Sequence, residues 1–456
     1  MSVSILIPFR APPHQFSSSW TIMHGRTLNL RGKSIHCCKL PKSLPLAFKQ
    51  GVGYRRPRVG KPCHCKLDSV DKQDEQRFRN EVWQWSNTPN QQAAYVFLLF
   101  GMTLGSQLPD VSWSPACYFL CLGVWIIYVG SHRSLGSKPP KQLSFREGIL
   151  APLYLSVSLF GFYCILHFFP NLDLQTFLSI YFSFVGVFAV AGNMVDLIGV
   201  LFPTTNTQMF QVEVPKWLRE DDATIGELSL TFADALALCV GISIVIANKQ
   251  AGAPFALNNF IAACIATEVL RLFSLGSFLT ATALLSGLLL YDVFWVFGSM
   301  HVFGDNVMVT VATSSAFDAP IKLIFPHLKG NSTFPYSLLG LGDVTVPGLL
   351  TALMLKFDRS NFSTRAYEAF EDSSTGLIQY PKKTYFTTCI ASYIFGLLLT
   401  FVANGVSGAA QPALLYLVPS QLAGIFLISF LRSEVDLLVS YSEEMIDNAG
   451  NIEKDK

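Results

Sequence analysis

The chain has 456 residues, of which 51% are hydrophobic and 14% are charged. Soluble globular domains carry about a quarter charged residues, so this composition excludes a soluble protein and indicates a polytopic membrane protein. The formal net charge of +2 conceals an asymmetry. Residues 1–67 hold 12 of the 33 Lys and Arg residues and no Asp or Glu, which leaves 21 basic against 31 acidic residues downstream.

The N-terminal segment, residues 1–67, predicts an organellar transit peptide. It is basic and free of acids, contains three consecutive serines at 17–19, and lacks an apolar core of the length that a secretory signal has. A plastid is favoured over a mitochondrion as the destination, and a disordered basic tail or a mispredicted first exon is the alternative. The ten cysteines form no zinc or disulfide framework, and Cys63-His64-Cys65 is interpreted as incidental.

Nine apolar runs of near-spanning length predict an all-α polytopic membrane protein with nine transmembrane helices. A polar link at 68–92 and a short apolar segment at 93–112, either interfacial or an extra helix, precede the membrane domain at 113–435, and a polar tail at 436–456 follows it. Lys and Arg concentrate in the loops on one side, which places the C-terminus in the cytoplasm or, for a plastid protein, in the stroma. The runs are 113–131, 149–168, 174–200, 228–247, 254–273, 277–300, 336–356, 384–406 and 410–431.

Two aspartates lie inside these runs, Asp292 in 277–300 and Asp343 in 336–356. A carboxylate at the centre of a bilayer costs roughly 3 kcal/mol, which makes such a residue a functional-site hypothesis. Because the two runs are consecutive, their helices can pack antiparallel and bring both acids to a similar depth. Two adjacent carboxylates share one proton, so one can activate water while the other hydrogen-bonds a carbonyl oxygen. Peptide hydrolysis needs that division of roles.

The residues beside the aspartates fit such a site. Gly340 and Gly342 remove side chains next to Asp343, which favours close approach of a substrate strand, although glycines at this spacing also serve helix packing. Pro347 favours a kink four residues later. Tyr291 is placed to hydrogen-bond near the pair or to pack as an ordinary aromatic residue.

A third element opens the last predicted helix with Gln411-Pro412-Ala413-Leu414. Proline is well tolerated in a first helical turn, because its missing N–H would have no partner within the helix. Here it can also hold a rigid surface of small residues against neighbouring helices. An ordinary helix start, bent further along by Pro419, is the alternative.

Together, Tyr291-Asp292, Gly340-Leu341-Gly342-Asp343 and Pro412-Ala413-Leu414 resemble the three motifs of the signal peptide peptidase family of presenilin-type intramembrane aspartyl proteases. The resemblance covers about 113–440. It points to the compact branch, because the link at 68–92 has no room for a large protease-associated domain. Further blocks that resemble the family are 130–135, 291–298, 306–312, 319–326 and 411–419.

The resemblance implies an intramembrane endopeptidase in which Asp292 and Asp343 activate water, without a metal or an organic cofactor. The expected partners are the lipid bilayer and single-pass transmembrane substrate helices, such as signal peptides or type II membrane anchors; a homo-oligomer is left open, and no nucleic acid is expected. The leader favours a plastid membrane, and the family favours an endoplasmic reticulum or endosomal membrane. The residues expected to bind substrate or shape the site are Tyr291, Gly340, Leu341, Gly342, Gln411, Pro412, Ala413 and Leu414.

Two alternatives come from other functional classes. A proton- or cation-coupled transporter or channel also uses membrane aspartates, but no internal hydropathy repeat supports it. A catalytically idle scaffold for membrane-protein clients is the third reading. The other charges in apolar runs are interpreted as structural, with Glu268 and Arg271 neutralising each other on one helix face; the remaining two are Asp196 and Asp234.

Overall fold

The computed structural model describes 91, 93–97, 114–136, 141–168, 174–202, 208–213, 227–252, 254–303, 320–326, 336–372, 383–407 and 411–443. The predicted transit peptide, the family-like block 306–312 and the chain from 444 onward lie outside these residues. So do nearly all of the polar link and most of the segment 93–112.

Helices dominate the described residues and confirm the all-α class. A helix satisfies its own backbone hydrogen bonds, which is why an apolar run inside a bilayer takes this form. In chain order within the described part, the helices are α1 (Ser114–Ser134), α2 (Phe145–Phe168), α3 (Leu174–Leu201), α4 (Phe232–Gln250), α5 (Phe255–Leu272), α6 (Phe278–Val293), α7 (Ser299–Phe303), α8 (Gly342–Asp372), α9 (Thr384–Ser407), α10 (Leu414–Leu431) and α11 (Val435–Val439).

Eight segments of the described chain are long and apolar enough to cross a membrane, and they match eight of the nine predicted runs. The run 336–356 differs. Its first residues form strand β6 (Tyr336–Gly340), and α8 begins only at Gly342. The expectation of one continuous helix over 336–356 is therefore wrong, because two glycines weaken the helix there and another strand supplies hydrogen-bond partners. The count of nine spans stays a prediction.

The strands in the described residues form three two-stranded sheets. β1 (Lys141–Gln142) pairs in parallel with β4 (Phe273–Ser274). β2 (Gln208–Glu213) pairs antiparallel with β3 (Glu227–Thr231), and β5 (Lys322–Pro326) pairs antiparallel with β6. β3 takes the first residues of the predicted run 228–247. Helix α4 follows it with a capping box, in which Thr231 and Asp234 bond each other's backbone N–H. Asp234 is thus structural, as interpreted.

Helix α8, which carries Asp343, packs against five other helices: α1, α5, α6, α9 and α10. Its Leu350, Met354 and Phe357 are fully buried. Leu270 of α5 packs directly against Gly130 of α1 and Gly348 of α8. A side chain on either glycine would collide with it. Small residues bring the backbones of membrane helices close together in this way.

A buried arginine joins α1 to α3 and α5. Arg133 bonds Glu268 Oε1 at 2.7 Å, Asn193 Oδ1 at 2.9 Å and Asp196 Oδ2 at 3.3 Å. The predicted Glu268–Arg271 pair also forms, at 3.5 Å, but Arg271 is the more exposed and the more distant partner. Arg133 therefore neutralises the buried charge, and these residues are structural as interpreted.

Candidate active site

Asp292 lies at the end of α6, on its inward face. It is 4% exposed, whereas Leu290 is 68% exposed and Tyr291 lies between these extremes. One turn of π-helix, Phe294–Gly298, follows directly. π-helical turns are rare and are frequent at functional sites. Trp295 within this turn donates a hydrogen bond to Ser156 of α2 at 3.2 Å, which ties the turn to the neighbouring helix.

Asp343 lies in the first turn of α8, directly after β6, and not deep inside a helix as the sequence suggested. The Leu341 carbonyl accepts the first intrahelical bonds, from the N–H groups of Val344 at 3.1 Å and Thr345 at 2.8 Å. An acidic residue is stabilised at this position because the N-terminus of a helix carries partial positive charge. Pro347 has no N–H, so the usual bond to the Asp343 carbonyl does not form.

The hairpin of β5 and β6 positions Asp343. On the side of β5 away from β6, two asparagines of α5 hold the strand. Asn259 donates to the Ile324 carbonyl and accepts from the Ile324 N–H, both at 2.8 Å, and Asn258 donates to the Lys322 carbonyl at 3.1 Å. On its other side β5 pairs with β6, so the strand leading into Asp343 is braced against the helix bundle.

The outer edge of β6 is open within the described residues. Ile324 and Lys322 direct their backbone groups to the asparagines, away from β6. In an antiparallel ladder the residues opposite them, Leu338 and Gly340, then direct their own N–H and C=O groups away from β5. These groups form an edge that leads to Asp343.

The N-terminus of α10 forms the third part of the site. The N–H of Leu414, the first residue of α10, faces the Asp292 carboxylate closely enough to act on its charge. Such N–H groups have no partner within their own helix and favour an anion. Pro412 and Ala413 are buried, and their carbonyls begin the helix by accepting the N–H groups of Leu415 and Leu417.

Two features place the two carboxylates near each other, and a third leaves one oxygen of Asp292 without a partner in the described part of the chain. Helices α6 and α8 contact each other and both contact α10. Asp343 lies near enough to Asp292 for the two charges to interact. The second oxygen of Asp292, Oδ2, is buried and has no hydrogen-bond partner among the described residues, so it is available to a reactant.

The predicted shaping residues divide into two groups. Gly340 lies against Asp343, since a Cβ at this position would be 3.3 Å from Oδ2, whereas the space around a Cβ at Gly342 is open. Leu341 caps α8, and Leu414 contacts Asp292. Gln411 instead bonds α9: its backbone N–H donates to Asn404 Oδ1 at 2.9 Å and its side-chain amide donates to Ser407 Oγ at 3.2 Å.

Sequence reasoning missed the hairpin, the π-helical turn and Tyr393. Tyr393 of α9 is fully buried, its hydroxyl has no partner among the described residues, and it lies near enough to Asp343 for an electrostatic interaction. The prolines and glycines that flank both strands signal the hairpin, but no sequence pattern distinguishes the π-helical turn. The described residues contain no cluster of His, Cys, Asp and Glu with the geometry of a metal site.

Comparison with known proteins identifies the family. The family described as signal peptide peptidase matches residues 136–445. The human protein named signal peptide peptidase is 32% identical over 346 residues, which cover 71% of this chain and 82% of the human protein. The chain belongs to the signal peptide peptidase family.

Relatives from other organisms agree with this assignment. Signal peptide peptidase-like 1 of rice is 33% identical over 48% of this chain and 64% of its own length. Intramembrane protease 2 of Caenorhabditis elegans is 32% identical over 55% of this chain and 51% of its own length. No solved structure matches the chain. The protein is an integral membrane aspartic endopeptidase that cleaves within the membrane, and the transporter alternative is not supported.

Proposed function

We propose that Asp292 and Asp343 are the catalytic pair, and that they hydrolyse peptide bonds in single-pass transmembrane helices such as signal peptides and type II membrane anchors. The observation that carries the proposal is that α6 and α8, each carrying one aspartate, meet at the N-terminus of α10. Leu414 engages the Asp292 carboxylate, and Asp292 Oδ2 remains unpartnered within the described residues.

In this mechanism the pair shares one proton. The Leu414 N–H can only donate, so it stabilises the negative charge of the pair on Asp292. The ionised member accepts a proton from water, and the protonated member donates a hydrogen bond to the scissile carbonyl. Water attacks that carbonyl, and proton transfer to the leaving nitrogen completes the cleavage. Gln411-Pro412-Ala413-Leu414 holds the α10 N-terminus in place for this chemistry.

The substrate is held as a strand on the open edge of β6. A peptide bond within an intact helix has its carbonyl bonded, so the substrate must unwind locally before water can attack. An unwound segment exposes N–H and C=O groups, and pairing with Leu338 and Gly340 satisfies them. Gly340, which is exposed and lacks a side chain, lets the substrate backbone approach Asp343.

The catalytic pair is tested with Asp292→Asn and Asp343→Asn in the full chain, assayed on a peptide that carries a signal-anchor helix. Each variant keeps the side-chain size but removes the acid, and each is expected to lose cleavage by at least about 1000-fold, since removing one member of a unit disables it. Asp234→Asn is the matched control, because the asparagine Oδ1 can still accept the Thr231 N–H in the capping box of α4. Full cleavage by either dyad variant would remove the proposal.

The substrate edge is tested with Leu338→Pro against Leu338→Ala. Proline removes the outward N–H without removing a bond to β5, whereas alanine removes only the side chain. Loss of one backbone hydrogen bond, about 0.5–1.5 kcal/mol, predicts a kcat/KM about 3- to 10-fold below that of the alanine variant. Equal values for the two variants would exclude strand pairing at this edge.

The compartment and assembly are further proposals. We propose that residues 1–67 direct the membrane domain at 113–435 to a plastid, because this segment is basic and acid-free. A fluorescent fusion of residues 1–92 is expected to enter plastids, and retention in the endoplasmic reticulum or cytosol would contradict this. Self-association is tested by light scattering of the solubilised protein, and a one-chain mass would exclude a homo-oligomer.

A further inference from the structure

The C-terminal segment after α10 folds back onto the start of α6 and the middle of α8, the two helices that carry the proposed dyad. Ser433 has a positive φ of 54°, which turns the chain at the end of α10. Beyond it, Leu438 of α11 is fully buried and Tyr441 is 9% exposed. Both belong to the apolar cluster that contains Leu275 and Phe357. The segment is therefore part of the packed bundle.

A buried ionic cluster surrounds Glu443, the last residue that the structure describes. Lys356 Nζ lies 3.1 Å from Glu443 Oε2, 3.2 Å from Glu443 Oε1 and 2.9 Å from Ser274 Oγ. Ser274 Oγ donates to Glu443 Oε1 at 2.6 Å. The Lys356 and Glu443 side chains are only 14% and 10% exposed. We call Ser274, Lys356 and Glu443 the C-terminal clamp.

Backbone contacts add to the C-terminal clamp. The Glu443 N–H donates to the Gly276 carbonyl at 2.8 Å, and Ser442 forms an antiparallel bridge with Ser277. Gly276 has a φ of 67°, a conformation that side-chain-bearing residues rarely adopt. The turn that begins α6 is thus shaped to receive the C-terminal segment.

The C-terminal clamp joins α8 to β4, the strand just before α6, and the helical stretches from there to the two aspartates are similar in length. Asp292 lies 14 residues after Phe278, the first residue of α6, and this separation spans about 21 Å of helix. Asp343 lies 13 residues before Lys356 on α8, or about 20 Å. Holding Ser274 and Lys356 on one carboxylate therefore sets how far α6 is shifted along its axis relative to α8.

We infer that Glu443 is a positioning residue, which through Lys356 and Ser274 sets the alignment of Asp292 with Asp343. The inference rests on the proposed dyad. Loss of the Glu443 charge frees one helix end to slide, and the misalignment at the aspartates affects the transition state more than binding of the substrate helix. A misplacement of 1 Å at reacting atoms costs up to about 100-fold in rate.

The test compares Glu443→Gln and Lys356→Met with wild type in the full chain, reconstituted in lipid bilayers and given a signal-anchor peptide. We expect kcat to fall about 5- to 50-fold and KM to stay within about twofold. The affinity for a hydroxyl-containing peptide isostere, which mimics the transition state, should fall in parallel with kcat. A purely structural role would lower the amount of folded enzyme and leave both quantities unchanged per folded molecule.

Glu434→Gln is the matched control. Glu434 is on the same C-terminal segment, and the hydrogen bond that it accepts from Tyr385 at 2.7 Å leads to α9 and not to α6 or α8. Its kcat should stay within about twofold of wild type. Wild-type kcat and isostere affinity for Glu443→Gln, or an equal loss for Glu434→Gln, would overturn the inference.

Two further variants keep the test decisive. If Glu443→Gln and Lys356→Met fail to fold, Glu443→Asp takes their place. It retains the charge on a side chain that is shorter by one methylene, and we expect it to lower kcat about threefold. A wild-type kcat for Glu443→Asp would overturn the inference. The dyad variants separate the two proposals. If Asp292→Asn cleaves fully, the proposed function is refuted. If Asp292→Asn loses cleavage while Glu443→Gln keeps the wild-type kcat, only the role of the C-terminal clamp is refuted.

Discussion

Gly340→Ala is the sharpest test of how closely the strand before α8 approaches the chemistry. The added Cβ would lie 3.3 Å from Asp343 Oδ2 and 3.9 Å from its Cγ. The first distance is tighter than ordinary van der Waals contact, so the carboxylate must shift by a few tenths of an ångström. Since a 1 Å error costs up to about 100-fold in rate, this shift predicts a loss of about 3- to 10-fold in kcat, or up to about 1.4 kcal/mol.

Gly342→Ala is the control, because apart from its two chain neighbours and the adjoining backbone of α8 no atom lies within 4 Å of its added Cβ. Both variants replace glycine outside the positive-φ region, so both should fold with unchanged or slightly higher stability, by about 0.5–1 kcal/mol. The assay is cleavage of the signal-anchor peptide, with kcat and KM separated and the thermal midpoint measured beside them. If Gly340→Ala and Gly342→Ala cleave equally fast, the contact between Gly340 and Asp343 has no catalytic consequence and the reasoning fails.

Two predictions concern stability. Arg133→Ala leaves Glu268 buried without its main partner and should lower the free energy of unfolding by about 3–5 kcal/mol, measured as a fall in the thermal midpoint. Arg271→Ala should lower it by less than about 1 kcal/mol, because Arg271 is partly exposed. Equal effects of the two variants would contradict this ranking. Asp358→Ala removes the carboxylate that accepts the N–H groups of Tyr385, at 3.2 Å, and Phe386 at the start of α9. The free energy of unfolding should fall by about 1–2 kcal/mol. An unchanged thermal midpoint would contradict this prediction.

Local hydropathy accounts for what the sequence could predict of the fold. An apolar run that crosses a bilayer by itself satisfies its own backbone hydrogen bonds as a helix, and eight predicted runs match described helices. The prediction failed at 336–340, where the same apolar letters form a strand. Strand pairing depends on partners outside the run, here β5 and the asparagines of α5. The hydrophobic periodicity within the run carries no information about such partners.

The site divides in the same way. Asp292 and Asp343 stand out from sequence alone, because a carboxylate in an apolar run is costly and therefore rare. Their surroundings required the tertiary structure. The Leu414 N–H on Asp292 and the C-terminal clamp on Ser274 join segments more than a hundred residues apart.

The amino-acid sequence by itself determined the membrane setting, the family, most helix positions and the two acids proposed for catalysis, since these follow from residue type and local spacing. Only the tertiary structure decided the open edge beside Asp343, the π-helical turn after Asp292 and the tie between the start of α6 and the middle of α8. These features depend on hydrogen bonds between distant segments, whose geometry is set by packing of the whole bundle.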